Sequence, residues 1–131
     1  YGDNNRSCMV RLPQNRFCIE NRAADMCMNP YLSLALTTAA TINGIQNKIE
    51  PGEPLNLDLY SLSKEEIKEA NIASLPRNLL EALESLQKSG FAHEVLGDSM
   101  MKQFFAYKMD EWDRYHQAVT EWEVEEYLRL Y

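Results

Sequence analysis

Two stretches near the start of the chain have the residue pattern of short β-strands. The first runs from Cys8 to Leu12 and the second from Phe17 to Arg22, and the turn-forming residues 13–15 separate them. Side chains on a strand alternate between its faces, so one face of the second strand carries Cys18, Glu20 and Arg22. The pattern predicts an antiparallel hairpin with one charged face.

A long apolar segment follows and predicts a helix from Pro30 to about Ile49. Asn29 is placed to cap this helix, and Pro30 suits its first position, where a missing N–H costs nothing. Apolar residues recur at helical spacing at Leu32, Leu36, Ala39, Ile42, Ile45 and Ile49. Because the helix is apolar nearly all round, we expect it to be buried in a core or between layers. Prolines and a glycine within residues 50–54 are expected to end it.

Capping signals predict four further helices in the rest of the chain. Their predicted starts lie at Ser63, at Ser74–Pro76, at Asp98 or Ser99, and at Thr120. The predicted class is α+β, with two or so strands in residues 1–28 and a mainly helical region in residues 29–131. An isolated hairpin is marginally stable in water, so we expect its sheet to continue in a preceding part of a longer chain.

Composition and charge narrow the class of protein. The 131 residues carry a net charge of −7, which repels nucleic acid. No apolar run approaches the roughly 18 to 20 residues needed to span a membrane, and the start lacks a signal peptide. Cys8, Cys18 and Cys27 have no paired C-x-x-C spacing and are expected to be free thiols of a cytoplasmic protein. Because the chain begins at Tyr1 within a polar stretch, we expect it to be a fragment.

Charged residues cluster on and next to the predicted strands of an otherwise acidic protein. They are Arg6, Arg11, Arg16, Glu20 and Arg22. Arginine presents a rigid fork of donors that suits phosphate and carboxylate oxygens, and a neighbouring carboxylate can bind the metal that accompanies nucleotide phosphates. Spacing alone favours a simpler interpretation, a ladder of ion pairs on a solvated sheet face, because the chain has no phosphate-binding glycine loop.

Several longer runs occur in a fixed order along the chain. They are NRSCMVRLP at 5–13, IENR at 19–22, NPYL at 29–32, NGIQNKIEPGEP at 43–54, LPRNLLEAL at 75–83 and YKMDEW at 107–112. Together they resemble the C-terminal region of the glutamine synthetases, and the resemblance covers essentially the whole chain.

This resemblance implies an ATP-dependent ligase and assigns roles to the charged residues. Such an enzyme phosphorylates the γ-carboxylate of glutamate with ATP, and ammonia or an amine then displaces the phosphate. The resemblance implies that the hairpin belongs to a catalytic barrel and that Glu20 binds Mg²⁺ or Mn²⁺ at the ATP phosphates. It further implies that Arg6 is catalytic at the transferred phosphate, that Arg11 contacts nucleotide phosphates, and that Arg22 binds the glutamate carboxylate.

The chain departs from the family pattern at Cys18, where an arginine is usual. Two interpretations stay open: Arg16 reaches the phosphate in its place, or the site is altered. Tyr60 falls where some members carry a tyrosine that accepts an adenylyl group, although an ordinary loop tyrosine is the favoured interpretation. The nitrogen donor is left open.

The resemblance also implies a homo-oligomer of stacked rings whose active sites lie between subunits. The chain alone is expected to be inactive, because it lacks the residues that complete such a site. One alternative is a noncatalytic homologue that acts as an assembly or regulatory module. Another is a separate helical interaction domain whose charged hairpin binds an anion without chemistry.

Overall fold

The chain has an α+β fold, as predicted. The computed structural model describes residues 1–130. The chain divides into two compact units, Tyr1–Leu75 and Pro76–Tyr131. The first unit contains a sheet of order β1-β2-β3 and two helices, with the bounds β1 Gly2–Asp3, β2 Val10–Leu12, β3 Glu20–Asn21, α1 Pro30–Gln46 and α2 Lys64–Glu69. The assignment of residues 1–28 to the active site and 29–131 to a helical region stays a prediction.

The predicted hairpin is present, with shorter strands than expected. Strands β2 and β3 pair antiparallel, with Arg11 opposite Glu20. The N–H of Arg22 continues this pairing by donating to the Met9 carbonyl at 2.8 Å. Phe17 and Ile19 belong to a loop rather than to β3, because their side chains are exposed and find no apolar surface among the described residues.

Strand β1 was not predicted and pairs parallel with β2. Gly2 lies opposite Arg11, and Asp3 lies opposite Leu12. With two residues, β1 is too short to show an alternating pattern. Besides β2, it contacts a segment about fifty positions away in the sequence, where Asn56 Oδ1 accepts a hydrogen bond from the Asp3 N–H at 2.8 Å.

Helix α1 begins as predicted and ends earlier than predicted. The Asn29 side chain accepts hydrogen bonds from the backbone N–H groups of Tyr31 and Leu32. The helix stops at Gln46 because Lys48 adopts a left-handed conformation with φ of 51°. The N–H of Ile49 then donates to the Gly44 carbonyl at 3.0 Å, the pattern of a Schellman cap.

The predicted burial of α1 is not found within residues 1–130. None of its side chains is buried, and several apolar ones are largely exposed, among them Tyr31, Leu34 and Ile45. The described residues therefore leave most of the apolar surface of this helix uncovered.

The second unit is helical. Its elements are α3 Leu79–Gln87, α4 Gly90–Gln117, α5 Glu121–Glu123 and a π-helical turn, Val124–Leu128. Helix α3 packs against α4, and the buried side chains of this unit are Leu83, Ala92 and Met101. This small core holds the two longest helices of the unit together.

Two helix starts in this unit differ from the predictions. Helix α3 begins after Asn78 rather than at Ser74–Pro76, because the Asn78 side chain accepts from the N–H of Glu81 at 2.9 Å. Helix α4 begins after Ser89, whose hydroxyl accepts from the N–H of Ala92 at 3.2 Å.

The structure also shows what happens at the other predicted helix starts. Gly97, with φ of 75° and ψ of 153°, interrupts α4 at the place where a new helix was predicted. The capping boxes at Ser63 and Thr120 are both present, as predicted. Across residues 1–130, none of the helices combines the length and apolar character that a membrane span requires.

Candidate functional site

Three of the five predicted site residues meet at the hairpin. Arg11 Nη1 donates to Glu20 Oε2 at 2.8 Å, and Arg16 Nη2 donates to Glu20 Oε1. Arg11 and Glu20 are direct cross-strand neighbours, whereas Arg16 reaches Glu20 from the loop between β2 and β3. One carboxylate is therefore held between two guanidinium groups. We call these three residues the Arg–Glu–Arg cluster.

Arg11 is the fixed member of the cluster. Its side chain is 13% exposed, and Nη2 donates to the side-chain oxygen of Asn4 as well. Its Nε is buried and finds no acceptor among residues 1–130. Arg11 is therefore held by its position on a strand and by two side-chain partners, while its Nε–H is a donor without an acceptor among these residues.

The cluster fixes the charges of its members. Hydrogen bonds from Arg11 and Arg16 lower the pKa of the Glu20 carboxyl below its ordinary value, because they favour the charged form. The same carboxylate raises the pKa of Arg16, with the hydrogen bond as the larger cause. At neutral pH the cluster therefore carries one negative and two positive charges.

Arg6 lies apart from the cluster, in the turn after β1. It is exposed and lines an open cleft of about 470 Å³, together with Asn5, Ser7, Asp58 and Tyr60 among others. Within the described part of the chain Arg6 forms no ion pair. Its guanidinium is therefore available to an anion that enters the cleft.

Two residues that shape this cleft were not assigned a role from the sequence. Asn5 Nδ2 donates to the carbonyls of Leu55 and Leu57, each at 2.8 Å. The Ser7 hydroxyl donates to Asn5 Oδ1 at 2.7 Å and accepts from the N–H of Leu59 at 3.1 Å. The Asn-x-Ser spacing is a signal for an Asx turn and could have revealed the local part of this arrangement.

Gly2 allows the close approach of the loop at residues 55–57. A Cβ at this position would lie 2.6 Å from both the Leu55 carbonyl oxygen and Asn5 Cβ, and 3.0 Å from Cys8 Sγ. These distances leave no room for a larger residue. Gly2 is therefore a structural requirement of the cleft.

The other residues singled out from the sequence are exposed. Arg22 follows β3 and forms no ion pair within residues 1–130. Cys18 is a free, exposed thiol in the loop beside Arg16. Tyr60 is 82% exposed at the edge of the cleft that Arg6 also lines. The structure thus brings Arg11, Arg16 and Glu20 together and leaves Arg6 and Arg22 as separate cations.

Glu20 can supply one ligand to a divalent cation. It is an ionised carboxylate and 23% of its side chain is exposed, which suits a hard cation that prefers oxygen ligands. Over residues 1–130 no group of three or more His, Cys, Asp and Glu side chains is arranged to hold a metal ion. The further ligands of such a site must therefore come from outside these residues.

Comparisons with known proteins identify relatives of this chain. The family described as "Glutamine synthetase, catalytic domain" matches residues 1–127. The glutamine synthetase of Methanosarcina mazei is 41% identical over 129 residues, which cover 96% of this chain and 29% of that protein. The glutamine synthetase of Staphylococcus epidermidis is 38% identical over 130 residues, which cover 97% of this chain and 29% of that protein.

Solved structures give the same result. A GmaS–ADP complex is similar with a TM-score of 0.81 and 35% identity over 98% of this chain and 29% of that one. Ligand-free GmaS gives a TM-score of 0.76 at the same identity and coverage. The chain spans about 29% of the length of these relatives. It belongs to the glutamine synthetase family and matches the catalytic domain.

Proposed function

We propose that the chain is the C-terminal part of an ATP-dependent carbon–nitrogen ligase. The ligase joins ammonia or an amine to the γ-carboxylate of glutamate through γ-glutamyl phosphate. The observation that carries this proposal is the Arg–Glu–Arg cluster, held across an antiparallel strand pair in a chain of the glutamine synthetase family.

The arginines supply what phosphoryl transfer requires. Charge spreads over the phosphoryl oxygens in the transition state, and fixed cationic donors stabilise it without reorganising. In the proposal Arg6 acts at the transferred phosphate, Arg11 and Arg16 contact nucleotide phosphates, and Arg22 binds the glutamate carboxylate. The exposure of Arg6 and Arg22, and their lack of a carboxylate partner within residues 1–130, support these roles.

Glu20 is proposed as one ligand of Mg²⁺ or Mn²⁺. When bound, such a cation neutralises phosphate charge during transfer. In this role Glu20 presents an ionised oxygen at neutral pH, and Arg11 keeps the Glu20 carboxylate ionised and in place.

The proposal includes a larger cytoplasmic protein that assembles as a homo-oligomer of stacked rings. Two observations support it: the chain spans about 29% of its relatives, and it exposes large apolar side chains on α1 and near its end. Apolar surface of this extent ordinarily lies against another part of the protein or another subunit. Residues 1–131 alone are expected to be inactive, since one carboxylate and four arginines do not assemble a complete site.

A noncatalytic homologue is the second candidate, and Cys18 favours it. A thiol stands beside the cluster where the resemblance leads one to expect an arginine, and both oxygens of Glu20 already have partners within the chain. In such a protein the cluster would be a structural ion pair, and the scaffold would serve assembly or regulation.

ADP release by the full-length protein separates the two candidates. The assay contains ATP, glutamate, Mg²⁺ and in turn ammonia and a panel of small amines, with glutamate omitted as the blank. A ligase releases ADP only when glutamate and one nitrogen donor are both present, and Glu20→Gln greatly slows that release. A Lys64→Gln variant, which removes an exposed charge on α2, is the matched control and keeps its rate. No release by the wild type, together with release by Cys18→Arg, would identify the noncatalytic homologue.

A further inference from the structure

Both carboxylate oxygens of Glu20 accept hydrogen bonds from arginines, and these bonds affect how Glu20 can bind a cation. The inference rests on the proposed function, in which Glu20 binds a divalent cation. Arg11 donates to Oε2 and Arg16 donates to Oε1, so each carboxylate oxygen already has a cationic partner. A divalent cation on either oxygen would stand next to a guanidinium group, and the repulsion between like charges favours the departure of that guanidinium.

The two arginines differ in how firmly they are held. Arg11 stands on β2 directly opposite Glu20, is 13% exposed and has Asn4 as a second partner. Arg16 stands in the loop after β2, its side chain is 61% exposed, and Glu20 is its one ion-pair partner among the described residues. Displacing Arg11 would break contacts in a buried setting, whereas displacing Arg16 returns an exposed side chain to water.

An exposed ion pair is easily exchanged. Such pairs contribute little to stability because water and salt screen them and because holding a long side chain costs conformational entropy. The pair between Arg16 and Glu20 is of this kind, although it keeps the carboxylate ionised and oriented.

We propose that Arg16 is the exchangeable counter-ion of Glu20. It holds Oε1 while no divalent cation is present and leaves when one arrives, and Arg11 stays on Oε2 throughout. The released guanidinium, on a loop next to the cluster, is then free to donate to phosphate oxygens. Arg16 is a positioning residue in this scheme, because its hydrogen bond holds the Glu20 carboxylate in one orientation until the cation binds.

Mn²⁺ binding to the full-length protein without nucleotide tests this proposal. Free Mn²⁺ is measured by electron paramagnetic resonance, which needs no catalytic activity. Removing the competitor should tighten binding, so Arg16→Gln is expected to lower the Kd for Mn²⁺ about two- to fivefold. Arg16→Lys keeps the positive charge and is expected to bind close to wild type. Lys64→Gln, which removes one exposed charge from the same unit, is expected to leave the Kd unchanged.

The outcomes distinguish the proposal from the function on which it rests. If Glu20→Gln weakens Mn²⁺ binding while Arg16→Gln leaves it unchanged or weakens it, the exchange is wrong and the metal role of Glu20 stands. If Lys64→Gln tightens binding as much as Arg16→Gln, a general charge effect replaces the exchange. If Glu20→Gln has no effect, the metal role of Glu20 is itself overturned, and the exchange with it.

Discussion

Replacing Gly2 by alanine should open the cleft that Arg6 lines. Gly2 does not have a positive φ, so alanine can adopt its backbone conformation without strain. The conflict is purely steric, because the new Cβ would lie 2.6 Å from the carbonyl oxygen of Leu55 and from Asn5 Cβ. Neither is the free end of a flexible side chain, so the backbone at residues 55–57 must move away.

The size of the effect follows from the contacts that this movement loosens. The new Cβ falls short of ordinary van der Waals contact by about 0.8 Å. Overpacking of this kind costs about 1–3 kcal/mol. The movement of the backbone should weaken two hydrogen bonds. One runs from the Leu55 N–H to the Tyr1 carbonyl at 2.7 Å, and the other from Asn5 Nδ2 to the Leu55 carbonyl at 2.8 Å.

Hydrogen exchange on the full-length protein measures this loosening locally. We expect the amide of Leu55 to exchange about 5- to 150-fold faster in Gly2→Ala, the factor that corresponds to this free energy. Gly44→Ala is the matched control, because nothing lies within 4 Å of its Cβ and alanine favours the helical conformation of α1. It should leave Leu55 protection unchanged.

Unchanged protection at residues 52–59 in Gly2→Ala would contradict this prediction, because the close approach of Gly2 to the Leu55 carbonyl would then not hold the loop. Equal acceleration in Gly44→Ala would refute it as well, since that change touches nothing in the cleft. The ATP-dependent rate of Gly2→Ala is expected to fall, because the turn that carries Arg6 is anchored on the same loop.

Three further outcomes follow from the fold. Leu83→Ala is expected to lower the free energy of unfolding by about 2–5 kcal/mol in denaturant titration, because Leu83 is 2% exposed. Lys48→Gly should raise that free energy by about 0.5–1 kcal/mol, because Lys48 holds a φ of 51° that glycine adopts freely; a lower stability in the same titration would contradict this. Folding lowers the pKa of Glu20, so the ionised Glu20 side chain stabilises the fold above the ordinary glutamate pKa of about 4.3. This stabilisation is lost as the pH falls through the lower, folded-state pKa. Hydrogen exchange of the β2–β3 pair, corrected for the intrinsic pH effect, should therefore lose protection below that pH in the wild type and lose less in Arg11→Gln, where only the hydrogen bond from Arg16 remains.

Local signals in the sequence predicted the features that depend on a few neighbouring residues. The caps at Asn29, Ser63 and Thr120 are side-chain to backbone contacts over two or three positions, so the sequence pattern contains them entirely. The hairpin and the pairing of charged residues across it follow from two strands and a turn. The hairpin holds the Arg–Glu–Arg cluster together.

Contacts between residues that are far apart in the sequence could not be predicted from local sequence patterns. The partners of β1 at residues 55–57 lie about fifty positions away, and no periodicity links them. The end of α1 depends on a lysine in a left-handed conformation, a residue that does not ordinarily mark a cap. Arg16 precedes the second predicted strand, and the strand pattern did not show that it reaches Glu20 from a loop. The missed features therefore depend on tertiary contacts or on backbone conformations that composition does not encode.

Isotope transfer shows whether the intact protein activates glutamate as an acyl phosphate. The full-length protein is incubated with ATP, its nitrogen donor and glutamate labelled with ¹⁸O in the γ-carboxylate, and the released phosphate is analysed by mass spectrometry. Because a carboxylate oxygen attacks the γ-phosphorus and the nitrogen donor then breaks the bond from carbon to that oxygen, each phosphate should carry one ¹⁸O. Phosphate without label, released alongside ADP, would show that water rather than glutamate accepts the phosphoryl group and would contradict the assignment.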